Sequence, residues 1–181
     1  MSTDLSEVMP VRYRVEQFLR ALTAQHAISE QRIEQLAKIL SPEARALFVR
    51  QAPQDQRHAL AVYETLCQQG RTHAGLLTAA LLHDVGKAAA QLPPWQRGLF
   101  VLAERFAPHA LDGAAQGQPR GWRSSFTRYA RHAEIGARWA EEAGCSLLTV
   151  DLIRRHEAPM RTCRTEEDRL LAALQAADSA N

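Results

Sequence analysis

An apolar stretch that stops abruptly at ionisable residues constrains this chain more than any other feature of its sequence. Residues 76–87 read LLTAALLHDVGK, so a run rich in alanine and leucine ends at His83 and Asp84. Such a run, free of proline, predicts a helix that is buried on nearly all sides. Ionisable groups at the end of a buried helix are costly unless they are paired or coordinated. The sequence therefore indicates either a capping histidine beside an aspartate–arginine pair, or a bound metal ion.

Gly86 follows Asp84 by two positions and is predicted to end this helix. Helices commonly end through a residue in the left-handed conformation, which glycine adopts without a steric cost. We therefore expect a positive φ at Gly86, with the chain turning away from the helix axis at this point.

The composition favours a helical protein without a membrane-spanning segment. Of 181 residues, 46% are hydrophobic and 23% are charged, as in globular domains, and alanine and leucine dominate. No window reaches the ~18 apolar residues that a bilayer span requires, and the first residues are polar. We expect a cytoplasmic protein with no signal peptide. Cys67, Cys145 and Cys163 are odd in number and lack metal-type spacing, which favours buried or idle thiols in a reducing compartment over disulfides.

The charge distribution argues against a dedicated nucleic-acid surface. The formal net charge is only +2, whereas a protein that binds nucleic acid through a large basic field carries a clear excess of positive charge. A local cluster of basic side chains could still hold a phosphate group.

Residues 1–52 are predicted to form an N-terminal helical extension. Apolar side chains recur at helical spacing over 11–25, and Ser29 and Ser41 are each followed by a helical pattern that they could cap. The segment has no cluster of metal-type residues, and His26 stands alone. We expect the extension to pack on the following core or to pair with a second copy in a homodimer, rather than to fold as an independent domain.

The rest of the chain also reads as helices, with one insertion. Strand-type alternation is missing, so the sequence predicts an all-α helical bundle. Residues 91–126 contain a glycine-rich stretch at 112–121 that is predicted to be a loop forming a lid or a substrate wall. One helix is predicted to start at Pro53 and to end at Gly70, and another is predicted over 122–143, with its end at Gly144. Ser146 is predicted to cap the next helix, and Thr165 to Asp168 resemble a capping box.

Histidines and aspartates of the kind that bind metals recur on separate predicted helices. They are His58, His83, Asp84, His132, His156 and Asp178. Taken alone, an inward histidine such as His58 is commonly a hydrogen-bonded core residue. His73, just before the central helix, is predicted to be a solvent-facing or capping residue.

The order of these residues resembles the HD superfamily of metal-dependent phosphohydrolases. The segments LHDVGK at 82–87 and HAEIG at 132–136 carry the resemblance, together with His58 and Asp178, and His132 and His156 match the two extra histidines of two-metal members. The similarity covers roughly 53–181. It implies an HD-domain helical bundle at 53–181, preceded by the N-terminal extension.

The resemblance implies a metal centre that holds one or two divalent transition metal ions. His58, His83, Asp84 and Asp178 would form one site, His132 and His156 would supply a second, and Asp84 would reach between the two. Mixed imidazole and carboxylate ligands suit Fe, Mn, Ni, Co or Zn better than calcium. Asp84 and His132 are 48 positions apart (132 − 84), and His109 in the insertion is an alternative to His132.

The implied chemistry is hydrolysis of a phosphate mono- or diester by a metal-activated hydroxide. Two cations ~3.5–4 Å apart can share and activate a water molecule. Asp84 and Lys87 are the expected catalytic residues, with Lys87 holding a phosphate oxygen. Arg131 and Arg155 either contact phosphate as well or lie on solvated helix faces.

The substrate is expected to be a small phosphorylated molecule, a nucleotide or a nucleotide-derived signal. Members that cleave cyclic diguanylate carry a Gly-Tyr-Pro signature shortly after the histidine that His156 matches, and this chain reads EAPMRT there. Cyclic dinucleotides are therefore not the expected substrate, whereas dinucleoside tetraphosphates stay open. The alternative to an enzyme is a catalytically silent HD-fold module that binds a nucleotide for regulation.

Overall fold

The computed structural model describes residues 28–90, 129–159 and 163–181, and these residues form helices joined by turns, without a strand. The all-α prediction is confirmed. The α-helices are α1 Glu30–Gln35, α2 Pro42–Arg50, α3 Pro53–Gln68, α4 Ala74–Leu82, α5 His132–Glu142, α6 Leu147–Arg155 and α7 Glu166–Ser179. Two 3-10 helices lie at Leu36–Lys38 and Val85–Ala90.

Local capping signals set most of the helix starts. Three serine hydroxyls, at positions 29, 41 and 146, accept the backbone N–H three residues later, as predicted. Thr165 and Asp168 form the predicted capping box at the start of α7. A side-chain cap of this kind stabilises a helix by about 0.5–2 kcal/mol because it satisfies an otherwise unpaired N–H group.

Helix α4 is the centre of the fold. Its leucines and alanines at 76 and 79–82 are fully buried, and α2, α3, α6 and α7 all pack against it. Phe48 of α2 belongs to the same core, and the Gln51 side-chain amide donates to the Leu81 carbonyl at 3.0 Å. The described part of the predicted extension, 28–52, thus shares one core with the helices that follow.

Gly86 does not end α4 in a left-handed conformation, so that prediction is wrong. Helix α4 ends at Leu82, and Gly86 lies inside the second 3-10 helix, Val85–Ala90. Among the described glycines only Gly70 and Gly144 have a positive φ, of 73° and 74°, and these two end α3 and α5 as predicted. Gly86 is needed for a different reason: a Cβ atom there would lie 1.9 Å from the His132 carbonyl oxygen.

The helix predicted over 122–143 is interrupted near its middle. Residues 129 and 130 are helical, Arg131 departs from helical geometry with φ −110° and ψ 17°, and α5 begins at His132. Residues 122–128, the rest of the insertion with His109, and the predicted N-terminal helix 11–25 with His26 lie outside the described residues. A membrane span requires a long apolar helix, and the described residues contain none.

Candidate metal centre

Five helices bring the six candidate ligands to one place. His58 lies in the first half of α3, His83 and Asp84 follow α4, His132 begins α5, His156 follows α6, and Asp178 is near the end of α7. Neighbouring imidazole rings among the four histidines have centroids 5.1–5.3 Å apart. His83, Asp84, His132 and His156 are buried, with at most 4% of each residue exposed.

Three of the histidines are oriented in the same way by their own backbone. In each, the Nδ1 atom lies within hydrogen-bond distance of the carbonyl oxygen three residues earlier: His83 to Ala80 at 2.9 Å, His132 to Tyr129 at 2.7 Å, and His156 to Ile153 at 2.7 Å. A carbonyl oxygen only accepts, so Nδ1 carries the proton in all three rings. In the neutral imidazole Nε2 is then left with its lone pair, which is the form that binds a metal ion.

The Nε2 atoms of His132 and His156 converge on one oxygen of Asp84. Their distances to Oδ1 are 3.3 and 3.7 Å, and the two nitrogens are 3.4 Å apart. Two lone pairs that face each other and a carboxylate repel unless a proton or a metal ion lies among them. Ligands bound at ~2.0–2.2 Å to one metal ion are roughly 2.8–3.6 Å apart, which is close to the spacing found here.

The other Asp84 oxygen faces a second group of ligands. The His83 Nε2 atom lies 3.5 Å from Asp84 Oδ2 and 3.5 Å from Asp178 Oδ1, and His58 Nε2 is 2.7 Å from the same Asp178 oxygen. Among the described residues the buried His83 Nε2 has no hydrogen-bond partner. A buried polar atom without a partner is costly, and a metal ion held between the imidazole and the carboxylates would remove that cost.

Two groups of side chains could therefore each hold a metal ion. We call His58, His83 and Asp84, with the adjacent Asp178, the first subsite; Asp84, His132 and His156 form the second subsite. In each group of three the ligand atoms lie within 4.8 Å of one another, and Asp84 is common to both. The residues fit a centre with imidazole and carboxylate ligands, the combination preferred by transition metals.

The electrostatics of the cluster favour a bound cation. Burial alone would raise the pKa of the Asp84 carboxyl, but His83, His132, His156 and Lys87 outweigh it and hold that pKa well below its ordinary value. Burial would lower the pKa of His83, yet the neighbouring carboxylates raise it. The carboxylates therefore stay ionised and stabilise positive charge, from protons or from a metal ion.

Lys87 contacts the cluster directly, whereas the two arginines have other surroundings. The Lys87 ammonium is 2.6 Å from Asp84 Oδ2 and 5.7 Å from the centre of the Tyr129 ring. Burial opposes its charge, but Asp84 raises the pKa of Lys87 above its usual range. Arg155 instead pairs with two carboxylates of α6 and α7, at 2.8 and 3.1 Å, and Arg131 is exposed.

Two residues near the cluster were not identified from the sequence. Glu157 places Oε1 3.5 Å from His132 Nε2 on the exposed side of the second subsite. The Gln175 side-chain amide donates to carbonyl oxygens at the end of α6, including that of His156 at 3.0 Å. These hydrogen bonds hold the backbone from which the His156 imidazole extends. Gln175 precedes Asp178 by three residues and shares its helix face, which is a signal that the sequence does contain.

Comparison of the chain with family models, with curated proteins and with solved structures gives no significant match. The class of protein is therefore defined by the fold and the site themselves: a protein that is all-helical over its described residues, with buried histidine and aspartate groups that could hold a metal ion.

Proposed function

We propose that this protein is a metal-dependent phosphohydrolase of the HD type, which cleaves a phosphate mono- or diester of a nucleotide or a nucleotide-derived signal. One observation carries the proposal: the two oxygens of a single buried aspartate, Asp84, face different imidazoles. Oδ2 faces His83, and Oδ1 faces His132 and His156. A pair of cations on either side of a shared carboxylate is an arrangement used for hydrolysis at phosphorus.

The ligands assigned to the centre are those of the two subsites, and the candidate metals are Fe, Mn, Ni, Co and Zn. Bound divalent ions would supply an activated water molecule and would stabilise charge on the phosphoryl oxygens. The protein's own contribution is orientation. The three carbonyl contacts to Nδ1 fix the histidine rings, and the buried surroundings of Asp84 keep its carboxylate from turning towards bulk water.

Lys87 has a second role in this proposal. Its ammonium already neutralises Asp84 Oδ2, and 20% of its side chain is exposed beside the cluster. A phosphate oxygen bound there would meet a compact positive charge that can exchange one anionic partner for another. Arg131 is exposed next to His132 in the chain and stays a candidate phosphate contact, whereas the Arg155 guanidinium already holds two carboxylates.

The test combines metal analysis with a hydrolysis screen. The purified protein and Asp84→Asn are loaded with Mn²⁺ or Fe²⁺, their metal content is measured by mass spectrometry, and phosphate release is followed over nucleoside mono-, di- and triphosphates, dinucleoside polyphosphates and cyclic nucleotides. We expect bound metal and hydrolysis in the wild type, and a loss of both in the variant. His73→Ala is the matched control, because His73 is an exposed histidine at the start of α4.

Two outcomes would overturn the proposal. Hydrolysis at the wild-type rate by folded Asp84→Asn would remove the aspartate from the chemistry. Tight nucleotide binding by the metal-loaded wild type, with no turnover of any compound in the screen, would instead identify a silent nucleotide-binding module.

A further inference from the structure

Two glycines from distant parts of the chain meet beneath the second subsite. A Cβ atom on Gly86 would lie 1.9 Å from the carbonyl oxygen of His132 and 2.8 Å from the amide nitrogen of Gly136. All three nearest atoms belong to the backbone of α5, which cannot give way as the end of a flexible side chain can. The 3-10 helix that follows Asp84 is therefore in direct backbone contact with the helix that begins at His132.

Gly136 extends this contact to a third element. A Cβ atom there would lie 3.2 Å from the Gly86 nitrogen, 3.2 Å from a methyl group of Val85 and 3.4 Å from a methyl group of Ile153. Ile153 lies in α6, and its carbonyl oxygen accepts the Nδ1 proton of His156. The glycine contact thus joins the three segments that carry Asp84, His132 and His156.

We propose that Gly86 and Gly136 are positioning residues that set the distance from Asp84 to the two histidines of the second subsite. This inference rests on the metal centre of the proposed function. Ligand atoms must lie within a few tenths of an ångström of their places to share a metal ion. A methyl group at Gly86 would force α5 and the 3-10 helix apart, and His132, the first residue of α5, would move with it.

Of the ligands of the first subsite, only Asp84 is shared with the group that this contact joins. His58 and Asp178 lie on α3 and α7, and none of the atoms nearest to the added methyl groups belongs to either helix. His83 is held at the end of α4, next to Leu81 and Leu82, which are fully buried. Loss of the glycine contact should therefore remove one metal ion from the centre and leave the other.

The experiment measures metal stoichiometry in Gly136→Ala and Gly86→Ala, after loading with Mn²⁺ and removal of excess metal. His156→Ala provides the reference for a protein with only the first subsite. Gly75→Ala is the matched control, because its added methyl group would meet only side-chain atoms, at 3.3 Å and beyond. Folding of each variant is checked by circular dichroism.

We expect two ions per chain in the wild type and in Gly75→Ala, and one in His156→Ala and Gly136→Ala. In Gly136→Ala the second ion should bind roughly 10- to 100-fold more weakly while the first keeps its affinity, as when the support of a metal ligand is lost. Gly86→Ala should lose the second ion completely. A crystal structure of Gly136→Ala without metal should show His132 Nε2 farther from Asp84 Oδ1 than the present 3.3 Å.

The outcomes separate a positioning role from a general structural one. Equal weakening of both ions, or wild-type binding of both ions by folded Gly136→Ala, would overturn the inference. A wild-type protein that binds no metal would refute the proposed function itself, and the inference with it. If Gly86→Ala does not fold, the metal stoichiometry of Gly136→Ala tests the inference by itself. This variant is expected to fold, because the tight contacts at position 136 can relax by a small shift.

Discussion

At the scale of single residues, the candidate centre depends on which nitrogen of each imidazole carries the proton. His83, His132 and His156 each place Nδ1 against the carbonyl oxygen three positions earlier. This contact is available to a histidine at the end of a helical turn, and it leaves Nε2 as an acceptor. A buried acceptor nitrogen without a proton donor, such as His83 Nε2, is stabilised by a cation.

Lys87 permits a residue-scale prediction about the metal-free protein. The Lys87→Met substitution removes the ammonium that lies 2.6 Å from Asp84 Oδ2 and leaves a buried carboxylate without this partner. The free energy of unfolding of the metal-free protein should fall by roughly 3–5 kcal/mol, the usual cost of breaking a buried ion pair. Added Mn²⁺ should restore much of this loss, because the metal replaces the missing positive charge. Urea unfolding with and without metal measures both effects.

Lys38 supplies the control for this prediction, because it is the only other lysine in the chain and is exposed. Lys38→Met should change the free energy of unfolding by less than about 0.5 kcal/mol, with no dependence on metal. Equal stability of Lys87→Met and the wild type in the absence of metal would show that Asp84 does not need its lysine partner.

At the scale of helices, local signals predicted most of the starts and ends, and distant contacts decided the rest. The serine caps, the capping box and the glycines at 70 and 144 act within one or two turns, so their effect can be read from neighbouring residues. The role of Gly86 could not be read in this way. It depends on the backbone of His132, which is 46 positions away (132 − 86), and no local pattern specifies that contact.

The start of α7 gives a prediction about pH. Backbone N–H groups of Arg164 and Thr165, followed by the Arg155 guanidinium, lower the pKa of Asp168 to about 2. Since this pKa is below the value of ~3.9 in an unfolded chain, the carboxylate stabilises the fold above that value and loses the effect as pH falls towards 2. Asp168→Ala should therefore be less stable than the wild type at pH 6, and this difference should shrink between about pH 4 and 2. Urea unfolding across this pH range measures it.

Thr165→Ala serves as the comparison for the same cap. Its hydroxyl accepts the Asp168 N–H and does not titrate, so its loss should cost about 0.5–2 kcal/mol at every pH in the range. A wild-type advantage over Asp168→Ala that stays constant from pH 6 to 2 would contradict the assignment of a low pKa to Asp168.

At the scale of the whole molecule, the bundle gathers six side chains from a span of 121 positions (58 to 178, inclusive). The sequence supplied the residue types and the family resemblance, and hence the candidate ligands, since the order of histidines and aspartates can be read directly. It could not supply the distances, nor the position of Glu157 beside the cluster, because these follow from how α5, α6 and α7 pack around α4.

The most direct test of a shared aspartate is the position of the metal ions in a crystal grown with Mn²⁺. Anomalous scattering should show two peaks, one between His83 and Asp84 Oδ2 and the other between Asp84 Oδ1 and the imidazoles of His132 and His156. A crystal in which no peak lies within coordination distance of Asp84 would contradict the proposed centre.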